Sequence, residues 1–458
     1  MFRKTALITV IIGFLLLLSA CSGATVPDQA DPPTELPVIP TPTTEASGIR
    51  LVADGSGDYP DLETAINKAE TGETVFLEAG TYRINKVLEI EKSVAIVGAG
   101  IDETIITSSV TGAVLHFTGN GSYTLSGVTV QHEGDLPAHV VLVENGEIDF
   151  YNCRFTGSAG VVSDLNAGLM IRGSTTGTIK NCQVDHNATA GIFLIGEANV
   201  LMEGNSCKNN RELGIAFREN AGGTARDNVC NENGEAGFYM DSNGTILLEG
   251  NECSHNGNDE TPGVGMLIGG EAGPTIAGNT CNANTYAGIS FGQSAGGNTK
   301  NNECTFNGFA GINLEGESSP TLEGNTCNEN GDADMGIGIA YFNNTGGTAK
   351  GNTVKENRRD GIFIMHDAAP ELIENICSMN KKYGILYAGT QGGSAIKNQC
   401  AFNEWAGIMV SQTSVPLLKE NTCHSNQAGI YIEETADPEL VDNELYGNSK
   451  EDLVDLRE

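Results

Sequence analysis

The chain has 458 residues, with 25 basic and 59 acidic side chains giving a formal net charge of −34, and it carries 59 glycines and 12 cysteines. That balance argues against nucleic acid as a partner, because binding it needs clustered Lys and Arg, and it disfavours unaided docking on anionic lipid or anionic polysaccharide. No Walker motif and no dinucleotide fingerprint stands between a strand and a helix.

Residues 1–20 have a basic start, a short apolar run and small residues ahead of Cys21, the pattern of a secretory signal. Leu18-Ser19-Ala20-Cys21 resembles a bacterial lipobox. Cys21 is therefore the expected lipidation site, and the expectation is an exported protein held to the bacterial membrane through a lipid anchor only, facing periplasm or cell exterior. Removing Arg3 and Lys4 leaves 25 − 2 = 23 basic against 59 acidic residues, a net −36. Residues 21–48, rich in Pro and Thr without apolar period, read as a semi-extended tether.

A β domain is expected over 49–445. It opens with short apolar segments and a helix near 61–70 (Asp61-Leu62-Glu63-Thr64-Ala65-Ile66) that caps the first coil. From Ile179 onward one unit recurs: Asn, a polar residue, Cys, two polar residues, Asn, then Gly and an apolar residue. Cys207, Cys230, Cys253, Cys281, Cys304 and Cys327 step by 23, 23, 28, 23 and 23 residues, and Cys377, Cys400 and Cys423 resume the series with Val354 in the missing slot. A fixed period of this length marks a solenoid whose repeats bury their apolar faces only against one another. Three- to five-residue apolar segments broken by Asn and Gly are strands joined by turns. Two Asn ladders, Asn187 to Asn426 and Asn205 to Asn421, are expected to stack and hydrogen-bond from coil to coil, with Asn taking left-handed turn geometry. The eleven cysteines after Cys21 are expected in one inward slot as a reduced stack, since parallel in-register side chains do not offer relaxed disulfide geometry, and a linear ladder cannot supply tetrahedral zinc ligands. The fold class is thus all-β: a right-handed, single-stranded parallel β-helix of about thirteen or more coils, roughly 60–70 Å long at ~4.8 Å per coil, closed by a polar cap at 446–458.

Residues 50–108, with Leu51-Val52-Ala53-Asp54-Gly55 and Thr74-Val75-Phe76-Leu77-Glu78-Ala79-Gly80-Thr81-Tyr82, resemble the opening coils of the pectin-lyase-like β-helix superfamily, and the later coils resemble the repeats of NosD-like and carbohydrate-active proteins. The resemblance implies the fold and a glycan or cell-envelope polysaccharide as partner. Phe150-Tyr151-Asn152-Cys153-Arg154-Phe155-Thr156-Gly157 is similar to a pectinesterase strand, yet Ser158-Ala159-Gly160 follows where that family has Gln-Asp, so esterase chemistry is not implied. The Asp-Pro-His-Asp motif of mannuronan epimerases is absent.

Function is expected where the repeat breaks, in the turn ahead of the Gly. That turn is lengthened after Cys153, after Cys253 by Asp259 and Glu260, and after Cys327 by Asp332 and Asp334, and on regular coils it carries Tyr286, Phe309 and Trp405. Aromatics beside acids suit stacking on sugar rings and hydrogen bonding to their hydroxyls. An acidic stripe that includes Glu219, Asp241, Glu315 and Asp367 follows the next strand; carboxylate pairs serve glycoside hydrolysis, but a charged strand edge explains the stripe equally. Lyases of the resembled superfamily pair a basic residue with acid-bound calcium, which makes Arg359, His366 and Asp367 the catalytic candidates. No cofactor is required by these motifs; Ca2+ is compatible with the acid excess, and no resident metal site is expected. The leading expectation is a glycan-binding scaffold without required catalysis, because the coils from 354 to 423 are regular and carry no catalytic loop. The alternatives are a polysaccharide lyase or glycoside hydrolase, and an adhesin or spacer with a protein partner.

Overall fold

The computed structural model of the chain describes residues 48–161, 165–332 and 335–457; the signal, Cys21, the tether and Asp334 lie outside the described residues. Seventeen coils form a parallel β-helix, right-handed as strand–crossover–strand connections are. One face is a 17-stranded sheet from Ile49–Leu51 to Glu439–Val441, and a second is a 16-stranded sheet from Leu88–Ile90 to Glu451–Asp455. At ~4.8 Å per coil the stack is on the order of 75 Å long, longer than expected, because the coils before Ile179 lack the Asn-x-Cys signature by which the others are counted. Helix α1 (Leu62–Lys68) starts at Asp61, whose carboxylate accepts the Thr64 N–H at 2.7 Å, and it buries Leu62, Ala65 and Ile66 against the first coil. The tail from 446 onward, expected as a polar cap, carries a last strand, Glu451–Asp455, in register with Ala428–Ile432.

The third face, which carries the cysteines, is a sheet only at its ends: six strands up to Ser206–Lys208 and five from Thr353–Lys355. Between them single parallel bridges such as Val229↔Glu252 and Thr280↔Glu303 hold the coils. There the residue after the Cys takes over from the backbone. Asn231 Oδ1 accepts the Ser254 N–H at 2.7 Å, Asn282 the Thr305 N–H at 2.8 Å and Asn328 the Lys355 N–H at 2.9 Å.

The core is a set of columns. Ile192, Ile215, Phe238, Met266, Ile289 and their successors form one, and the cysteines form another; all are fully buried. All eleven described cysteines are buried and unbridged. Two, however, do not stand in the cysteine column. Phe155 and Val184 occupy that column, while Cys182 stands in the Asn slot, where its N–H donates to Asn205 Oδ1 at 2.9 Å.

Both Asn ladders form, and they run further than expected, to Asn448 and Asn443. Each rung repeats one pattern: the Asn307 N–H and Nδ2 donate to Asn330 Oδ1 at 3.0 and 3.1 Å, and Nδ2 also donates to the Cys281 carbonyl at 3.0 Å. The ladder residues do not take the left-handed conformation. The residue before each does: His186, Asn209, Glu232, His255, Ala283, Phe306, Glu329, Glu356, Met379, Phe402 and Ser425 all have φ between 54° and 58°. The turn bends just ahead of the Asn, which leaves the Asn side chain inside and in line with its copies. The recurring Gly after this turn answers the same ladder: a Cβ on Gly214 would lie 2.5 Å from the Gly237 carbonyl and 3.0 Å from Asn233 Nδ2.

Candidate functional site

The turn ahead of the 16-stranded sheet places one residue per coil in an outward slot two positions before the Gly. Backbone bonds fix its register: the Glu235 N–H donates to Glu212 O at 2.8 Å, Phe309 to Tyr286 at 2.7 Å, Lys382 to Arg359 at 2.7 Å and Trp405 to Lys382 at 2.9 Å. The slot therefore reads Glu212, Glu235, Gly263, Tyr286, Phe309, Gly336, Arg359, Lys382, Trp405. The two glycines belong to the lengthened coils, where a Cβ would fall about 2 Å from the carbonyl of Asn256 or Asn330. The inserted loops at these coils divide the slot into an acidic, an aromatic and a basic stretch.

The loop after Cys253 is closed by Asn258, whose side chain accepts the Glu260 and Thr261 N–H groups at 2.9 Å, and it exposes Asp259 and Glu260. The loop after Cys327 exposes Asp332, bridged to Met335. Between the loops lie the Tyr286 and Phe309 coils. The two rings stack at 5.0 Å and 15°, and Phe342 continues the row at 6.2 Å from Phe309. Their faces are turned to each other, so Tyr286 and Phe309 shield the sheet and are not flat platforms for a sugar. Trp405, 55% exposed and met edge-on by Tyr383 at 6.2 Å, is the slot aromatic left open.

Tyr286 does a second thing. Small neighbours, Ala287 and Ala310, let its ring cross the sheet face, and its hydroxyl donates to Glu315 Oε1 at 3.4 Å. Burial, then Glu315, pushes that hydroxyl well above the usual phenol range. Asn313 Nδ2 donates to the same carboxylate oxygen and to Ser290 Oγ, both at 3.2 Å. The outward column of the sheet is mostly apolar on either side, with Met170, Phe193, Ala216, Tyr239 and Leu267 before and Ala340, Phe363, Leu386 and Met409 after. Ser290 and Asn313 interrupt it on these two coils alone among these positions. Asn313 Oδ1 is buried with no partner, while Glu315 stays partly open to solvent beside Gly269 and Gly292. A buried acceptor with no donor is an expensive arrangement, and it sets this cluster apart from the apolar positions beside it.

Of the catalytic candidates, Arg359 is not brought together with His366 and Asp367. Arg359 precedes the strand Asp360–His366 and His366 ends it, about 23 Å apart at ~3.3 Å per residue. His366 sits in a left-handed turn (φ 63°), accepting the Asn343 N–H at 3.3 Å, in the series that Gly196, Gly270 and Gly316 occupy on other coils. Asp367 is exposed and accepts from the Thr390 hydroxyl. Arg359 instead lies with its Nε 3.2 Å from Asp360 Oδ2 and its Cζ 5.1 Å above the Phe363 ring.

Sequence reasoning passed over Glu212 and Glu235. They hold, one coil apart, the same slot that was recognised by its aromatics, and that shared position was the signal. Burial first, then Glu235, pushes the Glu212 carboxyl up to about 7, and burial raises Glu235 as well. A hollow of about 310 Å3, lined by Leu165, Met170, Arg172, Phe193, Ile195 and Glu219, lies on the same sheet face, toward the strand ends where Glu219 stands. Among the described residues no group of three or more His, Cys, Asp or Glu has the arrangement of a metal site, and no helix is long and apolar enough to cross a membrane.

A family model described as the right-handed β-helix region matches residues 112–264, 259–401 and 333–453. Over 134 residues the chain is 28% identical to a probable pectinesterase/pectinesterase inhibitor 6 of Arabidopsis thaliana, which covers 25% of this chain and 24% of that protein. The chain thus matches about a quarter of the length of that curated relative. Among solved structures, the periplasmic alginate epimerase AlgG aligns over 87% of this chain and 84% of its own at 12% identity, with a TM-score of 0.41. The pectate lyase Pel9A aligns over 61% and 76% at 17% identity, with a TM-score of 0.37.

Proposed function

The chain belongs to the right-handed β-helix family, and from that premise we propose that it binds an extended glycan along the outward slot and the adjoining face of its 16-stranded sheet. The observation that carries the reading is the Tyr286–Glu315–Asn313–Ser290 network: a hydrogen-bonding cluster with one unpartnered buried acceptor, set between the apolar Leu267 and Ala340 of its column and flanked by two acid-tipped loops. Glu315, partly open to solvent and oriented by Asn313 and Tyr286, accepts from sugar hydroxyls, and Trp405, five coils from Tyr286 and so about 24 Å along the axis, stacks on a ring further down the same chain. A slot that repeats every ~4.8 Å suits a polymer of similar period. The relative that the chain resembles over a quarter of its length is named a pectinesterase, which supports the same ligand class, while the absent Gln-Asp pair withholds its esterase chemistry. The export signal read at residues 1–20, with its Cys21 anchor, would place this face where envelope polysaccharide is met.

A second reading, glycoside hydrolysis, is favoured by one observation: Glu212 and Glu235, neighbouring carboxyls both raised by burial, are suited to hold one proton between them and deliver it as an acid. A glycan array and a reducing-sugar assay on the full chain, with and without Ca2+, test both. Retention of a glycan that weakens at least tenfold in Glu315→Gln and in Trp405→Ala, without sugar release, supports binding. Release that is lost in Glu212→Gln supports the hydrolase. No glycan retained and none cleaved refutes both and leaves a protein-binding scaffold.

A further inference from the structure

Asp360 is the anomaly of the basic stretch. It stands in an outward column otherwise filled by Ala287, Ala310, Ile337, Tyr383 and Ala406, yet it is an acid with no exposed surface, and neither carboxylate oxygen makes a well-formed side-chain hydrogen bond. What faces it is cationic. Arg359 on its own strand approaches to 3.2 Å and is held from behind by the Phe363 ring. Lys382 comes from the next coil, beside Tyr383, whose backbone N–H is directed at the carboxylate. The preceding coil offers only Gly336 and Ile337, and Glu433 faces Tyr383. Among the described residues Arg359 pairs with no other acid and Lys382 forms no ion pair, although the molecule as a whole carries 34 excess negative charges.

Arg359 thus pairs with a buried carboxylate whose charge Lys382 also feels from the next coil, and among the described residues neither cation is paired with another acid. We infer that Arg359 and Lys382 form an oxyanion-binding site whose occupancy is gated by Asp360, so that the site captures a carboxylate, sulfate or phosphate group when Asp360 carries a proton and gives it up when Asp360 is charged. Ionised, Asp360 cancels one of the two positive charges and repels a second anion. Protonated, it leaves a planar guanidinium and an ammonium one coil apart, which is fork and point-charge recognition of an oxyanion. The geometry places the charge change in a useful range: burial holds the Asp360 carboxyl up at about 6 even against the pull of Arg359 and Lys382. The oxyanion is either free or borne on a sugar, and the inference stands whether or not glycan is bound at Glu315.

Inorganic sulfate, which keeps its charge across this range, is the probe, titrated calorimetrically into the full chain at about pH 5 and about pH 7.5. If capture needs the protonated form of a group that titrates at about 6, affinity falls roughly 30-fold between the two conditions. Asp360→Asn binds equally at both, and Arg359→Gln at neither. A carboxylated monosaccharide run in parallel separates the sources: tighter binding than sulfate assigns the site to a sugar-borne group, equal binding to a free oxyanion. Because Asp360→Asn touches a buried position, the carboxyl is also followed directly by 13C NMR in the native chain, where saturating sulfate must raise its titration midpoint by linkage. Sulfate binding that ignores pH, pH dependence that survives Asp360→Asn, or a midpoint unmoved by sulfate overturns the inference.

Discussion

Replacing Asn307 by alanine deletes one rung from the middle of the longer Asn ladder. The side chain is fully buried, its Oδ1 accepts the Asn284 N–H and Asn284 Nδ2 at 3.0 Å each, and its Nδ2 serves the Cys281 carbonyl. The Asn330 amide oxygen keeps a partner, because the backbone N–H of residue 307 still donates to it. Three buried groups therefore lose a partner: the Asn284 N–H, one Asn284 amide proton and the Cys281 carbonyl. At about 1–3 kcal/mol for each buried group left unsatisfied, the loss is roughly 3–9 kcal/mol, with partial relaxation favouring the lower end. Stability in a solenoid is a sum of coil and interface terms, so the damage should be local. Hydrogen exchange read by mass spectrometry should show protection falling by two orders of magnitude or more in segments spanning 281–330, with segments near 187 and 426 little changed. Asn448→Ala, at the frayed end where the ladder finishes on Asp452, should cost about 1 kcal/mol or less. If Asn307→Ala and Asn448→Ala cost the same, or if protection falls evenly along the chain, the ladder is not what sets the register of the coils.

The left-handed positions give a second expectation. Met379 has φ 58° and is 43% exposed, so Met379→Gly relieves backbone strain without opening a cavity and should stabilise by about 0.5–1 kcal/mol, while Gly278→Ala, at φ 63° with open space around it, should destabilise by about 1 kcal/mol; paired denaturation curves check both signs. The Glu212 carboxyl gives a third. Its folded value of about 7 lies above the unfolded one, so the folded state binds more protons and stability falls as pH rises from about 4.5 through 7. For a half-buried side chain the loss is about 1–2 kcal/mol, and thermal melts at about pH 5 and pH 8 should show it shrinking in Glu212→Gln.

What the sequence disclosed well is whatever is enforced by translation along the axis. The period, the two ladders and the inward cysteines from Cys207 onward repeat because each side chain must match its own copy one coil away, so they can be read without a structure. Cys153 and Cys182 were misplaced because they are two residues out of phase with the column, and a residue type is an easier signal to follow than a phase. The site was legible only as a turn. Arg359 and His366 are near in sequence, but a strand separates what it links, and seven extended residues carry one side chain to each edge of the sheet. In the opposite sense, Tyr286 and Glu315 are 29 residues apart and meet, since a coil length plus a strand width returns the chain to the far side of the same face. Whether a ring crosses that face depends on Ala287 and Ala310 beneath it, which no pattern of aromatics alone discloses.

The turn geometry then argues for where selection has acted outside the core. Two series of left-handed positions precede the Asn ladders. One is answered on five coils by Gly204, Gly250, Gly278, Gly324 and Gly351, which bear φ > 0 without strain, and on the others by the polar Asp227, Asn301, Glu374, Lys397, Glu420 and Asp442. The other is answered by polar residues such as Asn209, Glu232 and Glu329 on some coils and by His255, Phe306, Met379 and Phe402 on others, of which Phe306 and Phe402 are more than half exposed and so stabilise the fold little. Both series make the same bend, so the backbone does not require the difference. A solenoid that accepts roughly 1 kcal/mol of strain at each such position while exposing aromatic surface there is not optimised for stability alone. If Phe402→Gly and Phe306→Gly stabilise the chain as Met379→Gly should, yet leave glycan retention and sulfate binding untouched, this edge serves a contact separate from both sites on the 16-stranded face. If either substitution weakens retention, the glycan must wrap around the turn that joins the two faces.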